Sequence, residues 1–231
     1  MIRVRLGGWP FVLPQRWNEV SYAKALKLYQ THSGQVRERL TILGHIPGAE
    51  FIALDPAVSL AAYELVTFIK EIPQTTTDRV KVMPVRDWSF AAFEFIRQAV
   101  IKHRGELPLA FARITEVLYK QEDGTTPKDK AENYVEIGAK ALDDLDKYLD
   151  YWQERGLFDE YEPDPEERAA GVERVQAFGI YSVLEAVASK YGRLPEDIAK
   201  QPAHWVLTEW HYQAVKGEYL NELHRLKAAA P

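Results

Sequence analysis

Cysteine is absent from the 231-residue sequence, and its absence excludes several kinds of site at once. A disulfide framework, a thiolate nucleophile and a zinc site with cysteine ligands all need this residue. Long apolar runs are missing too: no stretch approaches the roughly 18 consecutive apolar residues of a membrane span, and the N-terminal residues lack the apolar core of a secretory signal. We therefore expect a protein that is made in the cytoplasm and neither spans nor binds a membrane.

The local signatures of common catalytic sites are also missing. Neither G-x-x-x-x-G-K-[ST] nor G-x-G-x-x-G occurs, and Gly7-Gly8 alone is too short to indicate a phosphate-binding loop. The patterns G-x-S-x-G and H-E-x-x-H, typical of serine hydrolases and zinc proteases, do not occur either. We expect a protein that is not an enzyme and needs no cofactor. A helical enzyme with an unrecognised site remains an alternative, and it would use Glu209 or His211.

Two clusters could suggest a metal ion, and neither has the required spacing. His204 and His211 are seven residues apart, which places them on one helix face but about 10 Å apart along its axis. Glu209 points to a different face. The acidic run Asp143–Asp146 lacks the glycine and the final glutamate of a calcium loop, and it lies within a helical pattern. We expect a solvated helix face there and no metal site.

The charge balance argues against broad binding of nucleic acid. The chain has 29 basic and 34 acidic residues, a net charge of −5, and each phosphate contact would need a local cation. Apolar residues make up 46% of the sequence, which is enough to build a core. We therefore expect a folded protein whose partners are other proteins.

The periodicity of the apolar residues predicts a mainly α fold, a bundle of about seven to nine helices with a small N-terminal β-hairpin. The alternation in residues 1–14 around Gly7-Gly8 indicates the hairpin. Helices are predicted over about 19–31, with Asn18 as N-cap and Tyr22, Leu26 and Tyr29 inward, and then after Ser33, with Arg39 outward. Further helices are predicted at these positions: 55–73, 87–103, 107–119, from 127 to near Gly156, 175–192, 194–200 and 203–227.

One boundary is visible along the chain, at the threonine-rich segment that follows Pro73. Residues 1–73 are predicted to form the hairpin and a three-helix module, 74–86 an extended connector, and 87–231 a larger helical module. The alternative is one continuous domain.

The last predicted helix is apolar on two sides. One stripe contains Trp205, Tyr212, Val215, Tyr219, Leu223 and Leu226, and we expect it to be buried. A second stripe contains Val206, Trp210 and Leu220. A helix with two apolar sides either lies in the centre of a bundle or contacts another chain. The candidate partner-binding residues are its aromatic side chains, Trp205, Trp210, Tyr212 and Tyr219, because aromatic residues dominate the energetics of interfaces.

The segment from Phe178 to Leu226 also shows a recurrent order of motifs. A helix ends in Tyr191-Gly192, a Pro195-Glu196-Asp197-Ile198 turn follows, and an aromatic amphipathic helix comes last. This order resembles the C-terminal part of tail-assembly chaperones from long-tailed bacteriophages. Three earlier patches are similar to proteins encoded in tail and baseplate modules: 17–22, 38–44 and 109–119.

The resemblance implies a non-enzymatic role in building a phage tail. The chain would bind an aggregation-prone tail component, such as the tape-measure protein or a baseplate protein, in the host cytoplasm until assembly. The alternative is a structural virion protein of the tail, baseplate or connector, which would stay in the particle. Self-association is left open.

Overall fold

The computed structural model describes most of the chain, and the fold is mainly α with a small N-terminal β element. The described residues are 1–6, 9–31, 35–44, 64, 82–104, 106–122, 133–158, 165–170, 172 and 178–229. The predicted helix at 55–73 therefore lies outside them except for Glu64, which is helical and exposed. Most of the predicted connector at 74–86 also lies outside, and Val85–Asp87 forms a 3-10 turn.

The predicted hairpin is present. Strands β1 (Ile2–Leu6) and β2 (Trp9–Leu13) pair antiparallel, with Leu6 opposite Trp9 and Ile2 opposite Leu13. Gly7 and Gly8, at which the sequence predicts the turn, lie outside the described residues.

Nine α-helices have their bounds within the described residues. They are α1 (Tyr22–Tyr29), α2 (Val36–Gly44), α3 (Phe90–Lys102), α4 (Phe111–Glu122), α5 (Tyr134–Gln153), α6 (Pro165–Ala170), α7 (Ile180–Tyr191), α8 (Pro195–Ala199) and α9 (Ala203–Ala229). Helix α7 ends as predicted, because Gly192 takes the left-handed conformation (φ 61°) that favours glycine at a helix C-terminus.

The start of α1 differs from the prediction. Residues Trp17–Glu19 form a 3-10 turn, and the α-helix begins after Ser21, so that Asn18 is not its N-cap. Within α1 the buried residues are Ala25 and Leu28, whereas the predicted inward residues are only half-buried. The three large side chains that the spacing predicted to be inward therefore lie at the edge of the core. The smaller side chain of Ala25 lies inside the core.

The chain divides into two compact units: Met1–Met83 with Phe95–Asp143, and Pro84–Glu94 with Asp144–Pro231. The predicted division at 74–86 stays a prediction, since most of that segment is outside the described residues.

In the first unit, α5 packs closely against α4, and its first residue forms a buried hydrogen bond to the segment before α1. Gly138 of α5 lies against the ring of Phe111, which is fully buried. The hydroxyl of Thr115 donates to the Phe111 carbonyl of its own helix at 2.8 Å and lies 3.2 Å from the Tyr134 carbonyl. The Tyr134 hydroxyl donates to the Val20 carbonyl at 3.0 Å. Burial raises the pKa of the Tyr134 hydroxyl, so it stays a hydrogen-bond donor.

In the second unit, the segment before α3 fixes the start of α9. The Phe90 amide donates to the Gln201 carbonyl at 2.8 Å, and the Ala203 amide donates to the Trp88 carbonyl at 2.7 Å. Trp88 and Ala203 are fully buried. The first turn of α9 is therefore held by backbone bonds as well as by apolar packing.

Among the described residues, no helix combines the length and the apolar character that crossing a membrane would require.

Candidate functional site

The first third of α9 packs against the rest of the second unit. Val206 and Leu207 are fully buried. Trp205 lies 5.3 Å from the ring of Tyr191, measured between ring centroids, and Trp210 lies 6.0 Å from that of Phe158. Two of the four predicted partner-binding residues, Trp205 and Trp210, are thus half-buried against aromatic neighbours in their own chain.

An ion pair joins α7 to α9 beside these rings. The Lys190 ammonium contacts the Glu209 carboxylate and lies 5.0 Å from the centroid of the Tyr212 ring. The contact with Glu209 raises the pKa of Lys190 and lowers the pKa of Glu209, so both groups stay charged at neutral pH. Glu209 is therefore engaged in a structural ion pair.

The two histidines of the helix lie near a different neighbour. His204 is 3.2 Å from the Tyr148 hydroxyl, and the rings of His204 and His211 lie 5.6 and 6.0 Å from that of Trp152. Burial raises the pKa of Tyr148 to about 12, so its hydroxyl is a neutral partner for the His204 nitrogen. In the described part of the chain, no three side chains of the metal-ligating types lie close enough to hold an ion.

From Tyr212 onward, the prediction that the apolar stripe of α9 is buried is wrong. Tyr212, Val215, Tyr219 and Leu226 were expected to be buried, and the structure places them at the surface, with 54%, 48%, 63% and 58% of their area exposed. Leu223 is half-buried. We call these five residues the outer stripe of α9.

The length of α9 explains why that expectation was wrong. A helix of 27 residues is about 40 Å long, and the contacts described above end near Tyr212. Periodicity shows that side chains share one face, but not which element covers that face. The remaining predicted partner-binding residues, Tyr212 and Tyr219, are therefore the exposed ones.

The first unit contains a buried polar cluster of Arg39, Glu106 and Thr31, which was not predicted from the sequence. Arg39, predicted to point outward, is only 1% exposed, and its guanidinium donates to both Glu106 carboxylate oxygens at 2.9 Å. It also donates to the hydroxyl and the carbonyl of Thr31, each at 3.2 Å. A helical projection could have indicated the burial of Arg39, though not its partners, since position 39 falls beside Leu43 on the apolar face of α2.

A histidine lies next to this cluster. The ring of His103 is 4.8 Å from that of Tyr29, and its Nε2 atom is buried with no hydrogen-bond partner among the described residues. Burial and the nearby Lys102 and Arg39 cations hold the pKa of His103 below its usual value. The ring is therefore neutral at physiological pH. Because Arg39 is bonded to Glu106 and Thr31, we interpret the cluster as one that stabilises the fold.

Searches against protein-family models, curated proteins and solved structures gave no match to this chain.

Proposed function

We propose that the chain is a non-enzymatic assembly protein, and that it binds another protein through the outer stripe of α9. The observation that carries this proposal is the exposure of Tyr212, Val215, Tyr219 and Leu226 on one face of one helix. Contiguous exposed apolar side chains mark interaction surfaces on folded proteins. Anchors spaced three and four residues apart are also how one helix contacts another helix or a groove.

The way α9 is held supports this role. Its first turn is fixed by the backbone bonds of Ala203 and Phe90, and Val206 and Leu207 anchor it in the core. A stripe presented on an anchored helix loses less conformational entropy on binding than a flexible segment does. Tyr212 and Tyr219 each offer a large apolar ring and a polar hydroxyl. Tyrosine is enriched among the interface residues that contribute most of the binding free energy.

The partner we propose is a component of a long phage tail, such as the tape-measure protein or a baseplate protein. The support is the resemblance of residues 178–226 to tail-assembly chaperones. A chaperone of this kind would act in the host cytoplasm and leave before the particle is complete. It would need an exposed apolar surface of the type that α9 provides, but no catalytic group.

A structural virion protein is the second candidate, and the N-terminal hairpin favours it. Strands β1 and β2 form the only sheet within the described residues, and a two-stranded sheet has two edges to which a neighbour's strand can add. This candidate predicts that the chain stays in the tail at a fixed copy number.

The test is capture of partners from infected or induced cells with the tagged full-length chain, combined with mass spectrometry of purified particles. We expect a tail component to be captured and the chain to be missing from the particles. Stoichiometric presence in particles would favour the structural candidate instead. Capture of no phage protein would contradict both.

A matched variant shows whether the outer stripe makes the contact. Tyr212→Ala combined with Tyr219→Ala removes two anchors, and we expect the captured component to fall at least about tenfold. The control is Asn221→Ala, an exposed position on the opposite face of the same helix. It should capture as the unmodified chain does. Equal losses in both would show that the stripe is not the contact surface.

A further inference from the structure

The outer stripe repeats after eleven residues. Its five members are spaced three, four, four and three residues apart, so that Leu223 and Leu226 occupy the places of Tyr212 and Val215. Eleven residues in three turns is about 3.67 residues per turn, close to the 3.6 of an α-helix. The stripe therefore runs almost straight along α9, and a second straight helix can follow it over its whole length.

The two edges of the stripe carry opposite charges. Because each residue turns the helix by about 100°, Lys216 and Lys227 lie along one edge, and Glu218 and Glu222 lie along the other. All four are exposed. Glu222 also accepts a hydrogen bond from Arg225 in its own helix at 2.8 Å. More than half of each of these two side chains is exposed, so their pairing is weak.

We propose that a second copy of this chain covers the outer stripe, with the two α9 helices side by side and parallel. In a parallel pair the basic edge of each helix faces the acidic edge of the other, and Glu222 of one copy lies beside Lys227 of the second. In an antiparallel pair, lysines would face lysines and glutamates would face glutamates. Charged residues at such edges select the orientation of paired helices.

This inference rests on the proposed function in one respect, since a tail component would use the same stripe. The second copy covers the apolar residues while no tail component is present, and the tail component displaces it. Pairing and capture can be measured separately, so failure of one is distinguishable from failure of the other.

The orientation can be tested by cross-linking, because the full-length chain has no cysteine of its own. Val215→Cys and Leu226→Cys each place one thiol in the stripe, about 16 Å apart along the helix. A disulfide needs the two Cα atoms within about 7 Å. In a parallel pair both positions meet their counterparts, so we expect a cross-linked dimer from each variant under mild oxidation.

Every other cross-linking result argues against the inference. An antiparallel pair brings at most one of the two positions onto its counterpart, so a dimer from only one variant would overturn the parallel arrangement. The control is Asn221→Cys, on the opposite face, and we expect it to stay monomeric on a non-reducing gel. Cross-linking of the control to the same extent, or of no variant, would overturn the pairing.

Charge reversal provides a test that leaves the apolar residues in place. At the contact between position 222 of one copy and position 227 of the other, Glu222→Lys places two basic side chains and Lys227→Glu places two acidic ones. Each change alone should therefore weaken dimerisation, measured by sedimentation. The double variant restores opposite charges at this contact, and we expect its dissociation constant to return to within about threefold of the original. Lack of rescue would contradict the parallel pairing. If the unmodified chain is monomeric by sedimentation and still captures a tail component, the inference is overturned and the proposed function stands.

Discussion

The buried ion pair of the first unit gives a prediction about stability. We expect Glu106→Gln to lower the free energy of unfolding by about 3 kcal/mol, since it removes the negative charge that faces the buried Arg39 guanidinium. Arg39 is 1% exposed and Glu106 is 15% exposed, so water can reach only one side of the pair. The bonds from Arg39 to Thr31 remain, which places the value at the lower end of the range of about 3–5 kcal/mol for buried pairs. Urea unfolding followed by circular dichroism measures it.

The same substitution on the surface is the control. Glu222 pairs with Arg225, and these side chains are 51% and 75% exposed. At a concentration at which the chain is monomeric, we expect Glu222→Gln to change the free energy of unfolding by less than about 0.5 kcal/mol, as exposed pairs do. The double variant Arg39→Met with Glu106→Gln should lose less than the sum of its two single changes. If Glu106→Gln cost no more than Glu222→Gln, the interpretation of the cluster as a buried stabilising pair would be wrong.

Three further predictions concern two glycines and one histidine. Gly138→Ala should destabilise the chain by about 1–3 kcal/mol in urea unfolding, because the new Cβ would lie 2.5 Å from side-chain atoms of Phe111. Gly217→Ala should instead stabilise α9 by about 0.5–1 kcal/mol, since its Cβ would meet nothing within 4 Å, and slower amide exchange in α9 would show it. The free energy of unfolding should fall as the pH drops below 6.5, because the folded state keeps His103 neutral after the unfolded chain has bound a proton. His103→Gln should make this part of the pH dependence flatter, and an unchanged slope would contradict the assignment.

Most of the helices could be predicted from the sequence, because helix signals are local. The end of α7 follows from one glycine that takes a left-handed conformation, and the start of α8 follows from Pro195. The hairpin follows from alternation around two glycines. Each of these features depends on residues within a few positions of one another.

The errors arose where long-range packing decides the outcome. The ion pair joins Arg39 to a residue 67 positions away, and no local pattern indicates such a contact. In the region of the helix predicted over 175–192, Phe178 and Tyr181 are 67% and 50% exposed, whereas α7, which begins at Ile180, buries Val183 and Val187. The outer stripe was identified correctly as one apolar face, whereas its exposure depends on where the neighbouring elements end.

Amide hydrogen exchange of α9 tests the central claim most directly. It would be measured on the full-length chain alone, diluted until it is monomeric, and in complex with the tail component that it captures. The account predicts slower exchange on binding across residues 212–229, with the first turns of α9 already protected in the free chain. Unchanged exchange across 212–229, with new protection in another element, would show that the partner binds elsewhere and would contradict the account.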